Sequence, residues 1–150
     1  MATPLKILFA DDDLKYSLLL KRFLEKEGYD VAYTGNGMMV LEQFPVVKPD
    51  LVLLDINMPK LDGFGVLKAM NANHIIEDIP VIMISSDDSE VVIRESYELG
   101  ASDYVNRPFD ARIVYRRVAN TIKLYEKQRR LVQLVSRQIR KQEHNTSMLV

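Results

Sequence analysis

The stretch from residue 51 to residue 63 reads LVLLDINMPKLDG and decides the fold. Residues 51–54 are all apolar, which is typical of a strand that is buried on both faces of a sheet. The run ends on Asp55, and a loop through Pro59 and Gly63 follows. A carboxylate left uncompensated at the end of a buried strand would be costly. Asp55 is therefore predicted to belong to a functional site.

Short apolar or alternating runs on both sides of this stretch take turns with helical patterns. Short strands separated by helices predict a parallel sheet covered on both faces, with right-handed crossovers. The expected fold class is therefore α/β, with an open, doubly wound, five-stranded parallel sheet. The predicted strands are 5–10, 29–34, 51–54, 81–84 and 102–105, and the predicted helices are 14–26, 37–44, 64–71 and 88–99. Pro45 is expected to stop the second helix, Asp13 to cap the first, and Asp87 or Asp88 to cap the fourth.

A single long helical pattern, without Gly or Pro, extends from about residue 110 to residue 143. The apolar residues of its first half can pack on the sheet. Its second half carries a further apolar stripe, in which Leu124 and Leu131 stand a heptad apart, as in a coiled coil. The stripe consists of Leu124, Leu131, Leu134, Val135 and Ile139.

The charge of the chain is divided between its two parts. Residues 1–110 hold 10 Lys and Arg against 19 Asp and Glu, a net charge of −9, and residues 111–150 hold 10 against 2, a net charge of +8. The basic helix has three interpretations: a solvated amphipathic helix, a parallel dimeric coiled coil leading to an output domain, or a nucleic-acid-binding element. We favour the coiled coil. Nucleic acid is the least favoured partner, because no helix-turn-helix is present and the basic residues are interleaved with the apolar stripe.

Composition excludes several classes of protein. The chain has 150 residues, of which 47% are hydrophobic and 27% charged, as expected for one globular domain with a little to spare. It has no Cys, which excludes disulfide scaffolds, thiolate zinc sites and cysteine nucleophiles, and its two His residues argue against a multi-His metal site. No apolar run approaches the roughly 18 residues of a membrane span, and residues 7–10 are too short for a signal-peptide core. We expect a cytoplasmic protein with no membrane contact.

Polar side chains follow four of the predicted strands. Asp11 and Asp12 follow the first strand, Asp55 the third, Ser85 the fourth and Arg107 the fifth. The carboxyl ends of parallel strands meet at one edge of the sheet, where open α/β folds bind their ligands. Carboxylate oxygens suit Mg²⁺, and a carboxylate beside Mg²⁺ can act as a nucleophile toward phosphorus.

These landmarks resemble the receiver domain of two-component response regulators. The resemblance covers about residues 4–122 and rests on KILFADDD, LVLLDINMPKLDG, VIMISS and DYVNRPF, in that order. It implies a flavodoxin-like sheet with strand order 2-1-3-4-5. It also divides the chain into a receiver domain, residues 1–122, and an extension of the last helix, residues 123–150, serving as a coiled-coil-like connector with a polar tail.

The resemblance assigns a role to each residue at the strand ends. Asp55 would be the phosphoacceptor. The cofactor would be Mg²⁺, or Mn²⁺, bound directly by Asp12, mainly through water by Asp11, by Asp55, and by the backbone carbonyl of Asn57. Ser85 would be the switch hydroxyl that bonds the phosphoryl group.

Three further positions match the family, and one departs from it. Ser86 would be the small residue that leaves access to the site, and Tyr104 the aromatic residue that moves inward on activation. Pro108 would follow the basic residue of the site, often through a cis bond. Arg107 stands where the family usually has Lys; its planar fork could still neutralise a phosphoryl group.

The resemblance implies a phosphoacceptor that catalyses its own phosphoryl transfer and dephosphorylation, not a classical enzyme. Its partners would be a histidine kinase or phosphotransfer protein and a second copy, bound through the C-terminal helix or the last helix-strand-helix face. The chain carries no effector domain, so we expect a truncated chain with a fused output domain missing or a stand-alone regulator. Two alternatives remain: a pseudo-receiver acting as a constitutive interaction module, supported by Arg107, and an aspartyl phosphohydrolase, which would need an acid at Asn57.

Overall fold

The computed structural model describes residues 3–148. Residues 1–2 of the predicted receiver domain and residues 149–150 of the predicted extension lie outside the described residues. Strands and helices alternate along the chain, as predicted. The strands are β1 (Lys6–Ala10), β2 (Asp30–Thr34), β3 (Leu51–Asp55), β4 (Val81–Ser85) and β5 (Asp103–Asn106). The helices are α1 (Leu14–Lys26), α2 (Gly37–Val47), α3 (Gly63–Ala72), α4 (Glu90–Glu98) and α5 (Ala111–Met148), with a 3₁₀ turn at Ile75–Glu77.

The sheet is parallel throughout, and its strand order is β2-β1-β3-β4-β5. The predicted α/β fold with order 2-1-3-4-5 and a long C-terminal helix is therefore confirmed. β3 and β4 are buried along their whole length, because helices cover both faces of the sheet. Alternate residues of β1 point to opposite faces: Ile7 and Phe9 join the cluster formed with α1 and α5, whereas Leu8 and Ala10 join the cluster formed with α2 and α3.

Two predicted details of the helices were wrong. α2 continues past Pro45 to Val47. The proline ring holds a helical φ and removes one backbone donor, and two further helical residues are tolerated before Lys48 ends the helix in the left-handed conformation. The cap of α4 is Ser89, which accepts from the amide of Val92, whereas Asp87 accepts from the amide of Ser89 one step earlier. The predicted cap of α1 is confirmed, since Asp13 accepts from the amide of Tyr16.

α5 packs on the sheet along its first third. Among residues 111–146, its buried apolar side chains are Val114, Val118 and Ile122. Tyr125 makes the next contact with the body, because its hydroxyl lies 3.1 Å from the Ile76 carbonyl and 3.1 Å from Ser102 Oγ. Within residues 3–148, no helix is both long enough and apolar enough to cross a membrane.

Candidate functional site

Backbone hydrogen bonds align the carboxyl ends of the strands at one edge of the sheet. The amide of Asp11 donates to the Thr34 carbonyl, and the amide of Arg107 donates to the Ser85 carbonyl. The same edge carries Asp55, the last residue of β3. The topology therefore brings together the polar side chains that follow β1, β3, β4 and β5, as the parallel arrangement predicts.

Three carboxylates meet at this edge. Asp11, Asp12 and Asp55 each offer an oxygen, and these oxygens lie within 4.8 Å of one another. Asp11 and Asp55 are buried, at 0% and 4% exposure, whereas Asp12 is exposed. Burial is the largest cause that raises the pKa of Asp55 to about 7, and the carboxylate of Asp12 raises it further, although the backbone amide of Asn57 opposes both.

The loop after β3 is held tightly against the strand end. The amide of Asn57 donates to Asp55 Oδ1 over 3.3 Å, and the amide of Gly63 donates to the Ile56 carbonyl over 2.7 Å. A Cβ atom at Gly63 would lie 2.7 Å from Ile56 Cα and would contact the Asp55 carbonyl oxygen. Glycine is therefore required for this close approach. The role of the Asn57 carbonyl as a metal ligand stays a prediction.

Asp11 is held at three points. Its carbonyl accepts from the Tyr33 hydroxyl over 2.5 Å, and its Oδ1 accepts from the amide of Asp13 over 2.9 Å. Its Oδ2 forms an ion pair with Arg107 Nη2. Tyr33 was missed by the sequence reasoning. The sequence signal for it was its position, next to last in the predicted strand 29–34, and the structure pairs it in register with Phe9.

Arg107 enters the acidic cluster from the end of β5. Besides its pair with Asp11, its Nη2 lies 4.0 Å from Asp55 Oδ2. Its side chain is 19% exposed, and burial lowers the pKa of its guanidinium. Among residues 3–148, Asp11 Oδ2 and Arg107 Nε and Nη2 are buried without a hydrogen bond of ordinary geometry, so the contact is an ion pair and not a fork. The Arg107–Pro108 peptide bond is cis.

Ser85 and Tyr104 both contact the loop between β4 and α4. Ser85 is 1% exposed, and its Oγ accepts from the amide of Asp87 over 3.0 Å. Tyr104 is 8% exposed, and its hydroxyl donates to the Asp87 carbonyl over 2.5 Å. Burial raises the pKa of Tyr104, whereas the nearby Ser85 side chain lowers it. The two predicted switch residues are thus tied to the same loop residue.

A cavity of about 280 Å³ opens beside the carboxylates. Phe109 lines the cavity, with its ring centroid 6.0 Å from Arg107 Cζ. Ser86 also lines it and has a small side chain. The lining residues are Asp13, Tyr16, Ser86, Arg107, Pro108 and Phe109.

The donor set fits a hard divalent cation. Asp12 presents an exposed carboxylate, Asp55 a buried one, and Asp11 a buried Oδ2 that lacks a hydrogen bond among the described residues. One or two carboxylates with waters and phosphate oxygens are what Mg²⁺ usually takes. Asp11, Asp12 and Asp55 could therefore hold such an ion.

The fold and the acidic edge define a class of protein. The chain belongs to the response regulator receiver domain family, whose model matches residues 7–119. It is similar to two Bacillus subtilis proteins. With sporulation initiation phosphotransferase F it shares 40% identity over 105 residues, covering 70% of this chain and 83% of that protein. With the alkaline phosphatase synthesis transcriptional regulatory protein PhoP it shares 39% over 113 residues, covering 75% and 46%.

A solved structure agrees with these relatives. The response regulator receiver domain protein of Methanospirillum hungatei superposes with a TM-score of 0.78 at 25% identity, covering 84% of this chain and 99% of that one. The chain spans about half the length of PhoP and of several other curated relatives that it matches.

Proposed function

We propose that this chain is a phosphorylation-controlled receiver in which Asp55 accepts a phosphoryl group from a histidine kinase or phosphotransfer protein. One observation carries the proposal: Asp55 is a buried carboxylate with Asp11 and Asp12 oxygens within 4.8 Å and a guanidinium nitrogen at 4.0 Å. Family membership supports it, since the matched region contains every one of these residues.

In the proposed reaction, an oxygen of Asp55 attacks the phosphorus of a phosphohistidine. The new bond is the O–P bond of an acyl phosphate, and the P–N bond breaks as the imidazole leaves. Asp55 must be ionised to attack, and a pKa of about 7 leaves it partly protonated at neutral pH. The guanidinium of Arg107, 4.0 Å from Asp55 Oδ2, can then neutralise the phosphoryl oxygens.

The proposed cofactor is Mg²⁺ or Mn²⁺, held by Asp11, Asp12, Asp55 and the backbone carbonyl of Asn57. When bound, it would offset the charge on the phosphoryl oxygens during transfer. Asp11 and Asp12 then serve to position it beside Asp55, and Tyr33 keeps the backbone of Asp11 in place through its hydrogen bond.

The proposed switch acts through the loop at Asp87. A phosphoryl oxygen could accept from the Ser85 hydroxyl, whose Oγ already accepts from the Asp87 amide, and Tyr104 is held by the carbonyl of the same Asp87. A change in this loop would reach α4, β5 and α5, which follow it. Tyr104 is already buried against this loop, at 8% exposure, so the proposed switch would act mainly on the Ser85 contact.

We propose that α5 passes this change to a dimer partner or an output domain. The part of α5 after the predicted boundary, residues 123–148, is called the α5 extension. Its apolar stripe is exposed, with Leu131 at 62%, Leu134 at 57% and Val135 at 57%. A single domain over residues 1–122 and a cytoplasmic location are parts of the same proposal, supported by the family match and the Cys-free composition. Dimerisation is a further part, supported by the exposed apolar stripe.

Mass spectrometry after treatment with acetyl phosphate and Mg²⁺ tests the phosphoacceptor. We expect a phosphoryl adduct in the parent chain and none in Asp55→Asn. Asp50→Asn is the matched control, because Asp50 precedes the opposite end of β3 and accepts from the amide of Lys6. An adduct that persists in Asp55→Asn would contradict the assignment. No adduct in the parent would favour the pseudo-receiver alternative, which Arg107 alone supports and the comparisons do not.

Disulfide crosslinking tests the dimer. Because the chain has no Cys, each variant carries only the cysteine that is introduced. Gln138 lies on the apolar side of the α5 extension. Gln138→Cys should crosslink to the same residue of a second copy, with a yield that changes on phosphorylation. Gln133→Cys, well away from that side, is the control and should crosslink weakly in either state. Equal yields at both positions, or no change with phosphorylation, would count against the proposal.

A further inference from the structure

Arg107 pairs closely with Asp11 and only at longer range with the proposed phosphoacceptor. Its Nη2 contacts Asp11 Oδ2, whereas the nearest oxygen of Asp55 is 4.0 Å away. Both partners of the ion pair are largely withdrawn from water, at 19% and 0% side-chain exposure. A buried pair of opposite charges interacts more strongly than one on the surface. The cation at the end of β5 therefore acts first on Asp11.

With this contact, each oxygen of Asp11 has a neighbour, one through a hydrogen bond and the other through an ion pair. Oδ1 accepts from the amide of Asp13 over 2.9 Å, and Oδ2 faces Arg107. Yet Asp11, Asp12 and Asp55 are the carboxylates that lie within 4.8 Å of one another. A divalent cation that enters this cluster must therefore meet the positive charge of Arg107 at the oxygen it would share.

Arg107 has room to withdraw from the carboxylates. Its Nε and Nη2 make no hydrogen bond within residues 3–148, so a move would exchange only the close ion pair with Asp11 and the longer one with Asp55. The cavity of about 280 Å³ lies beside it, and that cavity is lined by the ring of Phe109 and by Asp13. An aromatic face and a carboxylate are both favourable surroundings for a guanidinium.

We propose that Arg107 is a tethered counter-ion that competes with the divalent cation for Asp11 and so sets the metal affinity of the site. The inference rests on the proposed function, because it takes the acidic cluster as a metal site. Arg107 then has two opposed effects: it weakens metal binding before transfer, and it helps neutralise the phosphoryl group during transfer.

Isothermal titration with Mg²⁺ on the full chain tests the competition. Arg107→Met keeps most of the side-chain volume without the charge, and we expect Mg²⁺ to bind at least about tenfold more tightly, because a like charge a few ångströms away is removed. Arg107→Lys keeps the charge and should bind within about threefold of the parent. Arg112→Met is the control: Arg112 is exposed and paired with Asp110, and its removal should leave the Kd unchanged.

A second readout separates this role from a structural one. With Mg²⁺ saturating, the rate of phosphorylation by acetyl phosphate should fall in Arg107→Met, although its metal binding is tighter. Mere loss of structure would weaken both properties together. An Arg107→Met Kd equal to or weaker than the parent value would overturn the inference and leave the proposed function intact. Absence of Mg²⁺ binding in every variant would overturn both this inference and the metal part of the proposed function.

Discussion

The body of the chain, residues 3–122, and the α5 extension differ in what stabilises them. In the body, β3 and β4 are fully buried, and apolar side chains cover both faces of the sheet. In the α5 extension, Leu124, Leu131 and Ile139 are each at least half exposed. The extension buries almost nothing against the body after Tyr125. Its helix rests on local propensity, and a helix of this kind usually gains its stability from a packed partner.

The two regions also carry opposite charge. The body holds 13 Lys and Arg against 19 Asp and Glu, a net charge of −6, in a fold with buried carboxylates, whereas the α5 extension holds 7 against 2, a net charge of +5 spread along one helix. The body therefore bears an internal electrostatic cost that a cation can relieve. The extension carries solvated charges that cost little. From this difference we expect the stability of the body to depend on pH and on metal ions, and the stability of the α5 extension to depend on protein concentration.

The largest effect is expected at Asp55. Its pKa is raised from 3.8 to about 7 in the fold, so the folded state holds the proton more tightly than the unfolded chain does. Without metal, stability should therefore fall as the pH rises from about 4 to about 7, by up to about 4 kcal/mol. Asp55→Asn removes this dependence. Urea unfolding at about pH 5 and about pH 8 should show the variant gaining on the parent at the higher pH.

If the difference in unfolding free energy between Asp55→Asn and the parent did not change with pH, the pKa of Asp55 would not be raised in the fold. Added Mg²⁺ should stabilise the parent more than the variant at about pH 8, because the ion binds the folded state and offsets the same charge.

A matched pair of apolar truncations compares the two regions directly. Ile82→Ala, at a fully buried position of β4, should cost about 3 kcal/mol of unfolding free energy, because it leaves a cavity. Leu134→Ala, at a position 57% exposed, should stay within about 0.5 kcal/mol at low protein concentration. If a second copy covers the stripe, the cost of Leu134→Ala should grow with protein concentration. A large cost at every concentration would break the comparison.

Two truncations locate the boundary between the regions. A chain that ends after Ile122 loses both hydrogen bonds of Tyr125, to Ile76 and Ser102, and should lose about 2 kcal/mol. A chain that ends after Lys127 keeps them and should unfold at the same urea concentration as the full chain under monomeric conditions. Equal stability of the two would place the boundary at residue 122, as the sequence predicts.

The smallest effect is expected at Arg117, on the face of α5 toward β5. Its guanidinium contacts both oxygens of Asp103, at 2.9 and 3.0 Å, yet its side chain is 51% exposed. Arg117→Ala should cost about 0.5 kcal/mol, and the loss should shrink in high salt. A salt-independent loss of several kcal/mol would mean that this pair is a structural part of the body.

Much of the site could be predicted because strand ends are visible in a sequence. Apolar runs that end on Asp55 and Ser85 mark where a parallel sheet delivers its side chains, and chain order then brings them to one edge. The cap of α4 and the length of α2 could not be predicted so well. Several neighbouring polar residues compete for one cap, and proline near a helix end has a small cost.

The sequence by itself determined the alternation of strands and helices, the acidic strand ends, the glycine-bearing loop at Gly63 and the division of charge between two regions. These features depend on local periodicity and on residue type. The tertiary structure alone decided that Arg107 pairs with Asp11, that Tyr33 holds the Asp11 backbone, and that Ser85 and Tyr104 meet at Asp87. Such partners are distant in sequence or set by rotamers, and both depend on how the crossovers pack the chain.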